Sequence, residues 1–352
     1  MTSPSTPSAP VLPPAPDGTP PEQAAAPVLG WVDRLSTRLG IPLVVGVLVV
    51  GGLALTVGGN PYVAGIAIET LFWIAAASAW NVLGGYTGML SFGHALFIGV
   101  SGYAVTYAVT HGWSWWVATP VTVVAMTVVG TVLLFPGFRL RGPFFALATF
   151  ALPLIATTVA VYAAGITGGS QGETWPINPS VAQFVFVGRG PYILTIGAIA
   201  LAATLASVFI DRRAIGRRMR AVADDDVAAE AAGVPATRTR LVATAVSIAL
   251  SSLAGCFYVT YVAFIDPTSA FALDVSLKVV LLSILGGLGL SYGPLVGAVV
   301  LIPADSWLAA AFPGGLHLLL YGALLVGLVL FLPQGILGGA QQVRSRLRRR
   351  GR

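Results

Sequence analysis

Three histidines, one cysteine and one lysine are the side chains of this 352-residue chain with the most chemistry to offer, and their positions limit it. His94, His111 and His317 do not pair at metal-ligand spacing, and Cys256 has no second thiol. No metal site is expected, and a disulfide framework is excluded. The lysine decides more. A phosphate-cradling loop needs G-x-x-x-x-G-K followed by Ser or Thr, because that lysine must reach the nucleotide. Lys278 is followed by Val279 inside an apolar run, so the chain lacks that motif. No cofactor is expected in this chain, and it is not expected to be an enzyme. The run Asp224-Asp225-Asp226 admits two readings. One is a Mg²⁺ site of a lipid-processing enzyme. The other is the start of a short helix, where carboxylates favour the dipole. No second acidic cluster accompanies the run, and Mg²⁺ sites usually recruit substrate phosphates as well, which favours the helix.

The elements that must position these residues are membrane spans. Only 9% of the residues are charged and 56% are hydrophobic, with a mean hydropathy of +0.85. A soluble chain carries about a quarter charged residues, and a disordered one is poor in apolar side chains. The composition therefore predicts an all-α polytopic membrane protein. At roughly 20 residues per crossing, ten spans are expected, near 41–58, 62–82, 90–110, 115–135, 143–164, 190–210, 241–263, 275–288, 293–311 and 316–333. No ten-residue alternation of apolar and polar residues recurs, which argues against a barrel. The glycines between spans eight and nine (Gly286, Gly287, Gly289 and Gly293) admit a broken or re-entrant segment.

The arginines orient the chain. Ten spans put Arg34 and Arg38, Arg139 and Arg141, the seven arginines of residues 211–240 and the six of the C-terminal tail on one face, leaving Arg189 as the exception among 18. Both termini are then cytoplasmic. Nine of the 24 prolines fall in the first 28 residues, so residues 1–38 are expected to be a disordered cytoplasmic tail. Residues 39–338 form the membrane domain. The basic tail 339–352 is expected at the anionic lipid surface, and no nucleic-acid partner is expected.

Residues 211–240 make the longest polar insertion among the spans. They suggest one helix over about 217–223 and a second from the Asp run through 227–232, stopped by Gly233 with Pro235 beyond. Such short Ala-rich helices are marginal alone in water and need a partner surface.

Here the sequence resembles a known family. Gly216-Arg217-Arg218-Met219-Arg220-Ala221-Val222, followed by Ala228-Ala229-Glu230-Ala231-Ala232-Gly233-Val234, is similar to the cytoplasmic coupling loop of ABC importer permeases, more narrowly the LivM-like branched-chain amino acid permeases. Five further segments agree in order. They are Asn81-Val82-Leu83-Gly84-Gly85-Tyr86-Thr87-Gly88 with Leu90-Ser91-Phe92-Gly93-His94-Ala95, and Leu140-Arg141-Gly142-Pro143-Phe144-Phe145 through Thr149. Then come Thr167-Gly168-Gly169-Ser170-Gln171-Gly172, Leu285-Gly286-Gly287-Leu288-Gly289 with Gly293-Pro294 and Gly297-Ala298, and Leu332-Pro333-Gln334-Gly335-Ile336-Leu337-Gly338. Phe92 and Tyr292 depart from the family pattern at positions that bear on substrate choice.

The resemblance implies a permease of the bacterial cytoplasmic membrane. Its partners would be a second, LivH-like permease subunit, two cytoplasmic ABC ATPases that carry the ATP and Mg²⁺, and an extracytoplasmic substrate-binding protein. Gly216, Arg217, Arg220, Ala221, Glu230, Ala231, Ala232 and Gly233 would form the ATPase-coupling loop. The substrate would be a branched-chain amino acid, with urea and short amides as alternatives.

Polar residues at membrane depth are costly and raise functional hypotheses by default. Asn81, Ser91, His94, Thr149 and Lys278 are the candidate translocation-path residues. Lys278 is either a path charge paired with an acid, with Asp274 at i−4 a helical candidate, or a snorkelling side chain. His94 is either a path residue or a core histidine bonded to a backbone carbonyl. The clusters Gly84, Gly85, Gly88 and Gly286, Gly287, Gly289, Gly293 either let helices approach closely or line a path with backbone groups. An ion-coupled secondary transporter or channel using Glu69, Lys278 or Asp305 is the competing function, and a lipid-directed membrane enzyme is a third. The coupling loop favours the ABC permease, since an ion-coupled carrier has no need of a docking helix.

Overall fold

A computed structural model describes residues 52, 60–140, 143–176, 179–312, 315–332 and 334–339. Apart from Gly52 and Gly339, the span expected at 41–58 and the two tails lie outside these residues, as do Arg141, Gly142 and Pro333.

The described chain is an all-α bundle. Among the described residues, eight helical stretches are long and apolar enough to cross a membrane. They contain α1 (Pro61–Trp80), α3 (Trp115–Leu134), α4 (Pro143–Tyr162), α6 (Gly190–Arg212), α9 (Ala236–Val262), α11 (Leu273–Gly287), α12 (Gly293–Ala311) and α13 (Leu316–Phe331). Helix α2 (His94–Thr110) has 17 residues and falls just short. The chain multiply crosses the bilayer, as the composition predicts.

Helix α1 is the axis. Every residue from 70 to 80 is buried, with Ala75, Ala76 and Ala77 fully so. Small side chains let α6, α9, α11 and α12 close around it, the usual basis of helix association where lipid is as apolar as leucine. The same logic fixes individual glycines. A Cβ on Gly255 of α9 would run into the backbone of Ile98 on α2, and one on Gly297 of α12 into the carbonyl of Leu282 on α11. In contrast, α13 buries none of its residues, and α3 and α4 expose valines, leucines and phenylalanines such as Val124, Val132, Phe144 and Leu154. A water-soluble protein could not carry that apolar surface.

The two ends differ. Arg139, Arg213, Arg217, Arg218, Arg220, Arg238 and Arg240 gather at one end, where Arg240 donates to the Phe138 carbonyl (3.2 Å) across the bundle. The far end carries Arg189 and the aromatic cluster of Trp115, Trp116, Phe184 and Tyr192, with Trp113 and Trp116 half exposed as at a membrane interface. There β1 (Glu173–Thr174) pairs antiparallel with β2 (Phe264–Ile265). The four-residue helices α5 (Ala164–Thr167) and α10 (Pro267–Ala270) sit beside this pair.

Three boundaries differ from expectation. Helix α9 starts at Ala236 rather than 241, because the Pro235 carbonyl accepts both the Thr239 N–H (3.0 Å) and its hydroxyl (2.9 Å). The eighth span begins earlier, at α10, whose first turn is capped by Asp266 accepting from Thr268 and Ser269 N–H (3.0 Å each). Helix α2 starts four residues later than expected, for reasons that belong to the site.

The α2–α9 contact gives a direct test. Gly255→Ala is expected to destabilise the protein by about 1–3 kcal/mol through overpacking. Gly65→Ala, whose Cβ would meet only the Tyr261 hydroxyl at 3.7 Å, is expected to leave the melting point in detergent unchanged.

Candidate functional site

Helix α1 does not end cleanly. It widens into one π-helical turn, Asn81–Gly85, continues in helical geometry through Tyr86 and Thr87, and then leaves it from Gly88 until His94. Gly88 takes φ +69°. An irregular stretch at membrane depth is tolerated only when protein satisfies its backbone, and here side chains from distant helices do so. The Trp80 indole donates to the Ser91 carbonyl (2.7 Å). The Phe92 N–H reaches the Thr149 hydroxyl of α4 (3.0 Å), and the Ala95 N–H the Ser276 hydroxyl of α11 (2.9 Å). The Gly93 N–H bonds the Ser91 hydroxyl (3.3 Å). These bonds set where α2 can begin.

His94 is fully buried at the first turn of α2. Its Nε2 lies 2.9 Å from the Ser247 hydroxyl of α9, so its partner is a hydroxyl and not the backbone carbonyl expected of a core histidine. Phe92 is half buried with its ring against Phe150, 6.3 Å between centroids. The break therefore brings Ser91, His94 and Thr149 into one buried, hydroxyl-rich zone.

The two glycine clusters meet. Asn81 accepts from the Gly289 N–H (3.1 Å) and donates to the Leu290 carbonyl (3.1 Å). A Cβ on Gly85 would strike the Asn81 side chain and the Gly289 nitrogen, and Gly289 itself takes φ +70°. A Cβ on Gly286 would enter the Gly293 carbonyl. At these positions the glycines serve close approach. Gly84 instead accommodates the Trp80 ring, and Gly88 lies against Ala223 of the polar loop.

That loop holds two helices, α7 (Ala214–Asp224) and α8 (Asp226–Ala231). Helix α7 starts three residues earlier than the sequence suggests. It buries Gly216, Met219 and Val222 and exposes Arg217, Arg218 and Arg220. Asp225 caps α8, accepting from the N–H groups of Val227 (2.9 Å) and Ala228 (3.1 Å). Gly233 at φ +83° closes it, with the Val234 N–H returning to the Ala229 carbonyl (2.9 Å). Asp226 pairs with Arg240 (3.1 Å). The acidic run thus starts a helix, and no metal-holding group of His, Cys, Asp or Glu occurs among the described residues. Glu230, Ala231, Ala232 and Gly233 are exposed side by side, as are Arg217 and Arg220. Gly216 and Ala221 are not: Gly216 lies tight against the Ile210 carbonyl, where any Cβ would collide.

A family model described as "Branched-chain amino acid transport system / permease component" matches residues 62–329. This chain belongs to that permease family. It is similar to the high-affinity branched-chain amino acid transport system permease protein LivM of Salmonella typhimurium (strain LT2) and to that of Escherichia coli (strain K12). Each is 26% identical over 298 residues, covering 77% of this chain and 69% of the relative. It is also 30% identical, over 146 residues, to the autoinducer 2 import system permease protein LsrC of Klebsiella pneumoniae, covering 40% of this chain and 41% of that one. No solved structure matches significantly.

In this permease the lysine has partners that its sequence neighbourhood does not reveal. Lys278 Nζ lies 3.1 Å from Asp305 of α12 and 3.7 Å from Glu69 of α1, and 5.0 Å from the centre of the Trp73 ring. Trp73 in turn donates its indole N–H to Glu69 (3.2 Å). Asp274, the i−4 candidate, is not the partner: α11 exposes it on its first turn, while α12 brings Asp305 closer. Nor does the ammonium simply snorkel, since it is held between two carboxylates.

Sequence reasoning missed a polar chain at the arginine-bearing end. The Tyr86 hydroxyl meets Ser207 (2.8 Å) and donates to Ser291 (3.1 Å), Ser291 donates to Asp211 (2.8 Å), and Asp211 pairs with Arg220. Its only sequence signal is an acid, Asp211, ahead of a run of arginines.

Lys278→Met removes the countercharge of Asp305 and Glu69, which are partly exposed, and is expected to cost about 1 kcal/mol of stability. Adding Asp305→Asn is expected to recover part of it, read as the melting point of the permease in detergent.

Proposed function

We propose that this chain is the membrane-spanning permease subunit of an ABC importer for branched-chain amino acids. It would form the translocation path by alternating access driven by ATP hydrolysed elsewhere. The observation that carries the reading is the polar loop. It presents a capped, exposed docking helix at the arginine-bearing end and fastens it to the bundle through α7. An ion-coupled carrier has no use for such a surface. The names of the LivM relatives support the substrate.

The expected complex contains a second, LivH-like permease subunit, two cytoplasmic ATPases holding ATP and Mg²⁺, and an extracytoplasmic binding protein, in a bacterial cytoplasmic membrane with both termini inside. In the cycle, closure of the ATPase pair moves the coupling helices as rigid bodies and the spans rock between inward- and outward-open states. Glu230, Ala231, Ala232 and Gly233 would sit in the ATPase groove, with Arg217 and Arg220 beside it. Asn81, Ser91, His94 and Thr149, clustered about the break between α1 and α2, and Lys278, in its separate charged group, are the residues we assign to the path and its immediate support.

Proteoliposomes holding the complete transporter and its binding protein test the reading. Leucine, isoleucine or valine uptake is expected to require ATP inside and to ignore a protonophore. Uptake abolished by the protonophore and indifferent to ATP overturns it. Ala231→Arg is expected to cut uptake about ten-fold or more, the equivalent of some 1.4 kcal/mol of docking energy, with the permease still inserted.

A further inference from the structure

The polar chain beneath α7 joins the consecutive helices α6 and α7 to two elements distant in sequence, the α11–α12 turn and the end of α1. Ser207 and Asp211 lie on the last turns of α6, Arg220 on α7, Ser291 in the turn between α11 and α12, and Tyr86 just past the π-helical turn that ends α1. Tyr86 is fully buried. The donors can all point one way. In that arrangement the Ser207 hydroxyl gives its proton to the Tyr86 oxygen, Tyr86 gives its own to Ser291 rather than to the Ser207 carbonyl 3.2 Å away, and Ser291 gives its proton to the Asp211 carboxylate. The other carboxylate oxygen takes the Arg220 guanidinium. Arg220 also lies over the Tyr86 ring, 5.7 Å from its centre, and closes the circuit. Hydrogen bonds aligned this way polarise one another, and the anion at the end of the row has a permanent countercharge.

The position of this circuit gives it a task. On one side, Arg220 is about half exposed on the same loop as the docking helix. On the other, Ser291 follows Gly289 and Leu290, which Asn81 grips, and Tyr86 lies two residues before the irregular stretch, Gly88–Gly93, that leads to His94. The apolar anchorage of α7 is slight: Gly216, Met219 and Val222 are its buried residues. Without a directional link, motion imposed on the loop would be taken up by sliding of that small face.

Resting on the permease function proposed above, we propose that Asp211 and Tyr86 are positioning residues for transport. They lock α7 to the α11–α12 turn and to the start of the broken segment, so that displacement of the coupling loop reaches the path instead of dissipating at the loop. The residues touch neither nucleotide nor substrate and act through the elements they join.

The test uses the assembled transporter in proteoliposomes with its binding protein. It reads two quantities together, binding-protein-stimulated ATP hydrolysis and amino-acid uptake, and takes their ratio. Tyr86→Phe keeps the ring and its contact with Arg220 but removes the hydroxyl. Ser291→Ala removes the same link from the other side with less volume, so either variant decides if the other assembles poorly. Both are expected to retain ATPase activity and co-purification with the partner subunits while uptake per ATP falls roughly five-fold. Asp211→Asn is expected to do the same. Wild-type uptake per ATP in Tyr86→Phe and Ser291→Ala overturns the positioning role alone. A wild-type complex whose uptake does not need ATP overturns the permease function and this role with it.

Discussion

A backbone amide in a bilayer has no water to turn to, and the architecture of this permease follows from that constraint. Regular helices satisfy it within themselves. The stretch from Gly88 to Gly93 does so only in part, and side chains of the surrounding helices supply the rest. Thr149 of α4, Ser247 of α9 and Ser276 of α11 each spend a hydroxyl on this segment or on the first turn of α2, and Trp80 covers the Ser91 carbonyl. Each bond binds a different helix to the same few residues. The break is therefore also a point where helices are cross-connected, and where a change of backbone conformation would be felt by α4, α9 and α11.

The same constraint explains the glycines. Where two irregular turns meet, backbone must approach backbone. Gly85 and Gly289 permit this at the π-helical turn, with the Asn81 amide bonding both a donor and an acceptor of the opposing turn. An alanine at either site would separate the turns and leave the Asn81 amide unpartnered.

Much of the helical architecture was legible in the sequence, because hydropathy follows directly from burial in lipid. Nine of the ten expected spans fall on described helices, and the Asp225 cap with its closing Gly233 frames α8 much as the residue order predicts. The misses share a physical cause. The onset of α2 at His94 depends on hydroxyls dozens to hundreds of residues away. Lys278 chooses Asp305 and Glu69 over Asp274 because helix packing, not helical spacing, sets its distances. Tyr86, Ser207, Asp211 and Ser291 are ordinary residues individually and become a network only once α6, α7 and the α11–α12 turn are placed together. Gly216 reads as part of a docking motif but is spent on the tight turn between α6 and α7.

The long-range bonds at the break also set an order of biosynthesis. His94 is made 153 residues before Ser247, and Ala95 is made 181 residues before Ser276. At ribosomal rates of about 5–20 residues per second, the nascent α1–α2 pair waits on the order of 10–40 s for the hydroxyls that complete it. During that interval the Ala95 amide and the His94 imidazole need another host, be it lipid headgroups, water at the insertion machinery or a membrane chaperone. Helices α1 and α2 thus complete their native hydrogen bonding only once the α11–α12 turn has been made.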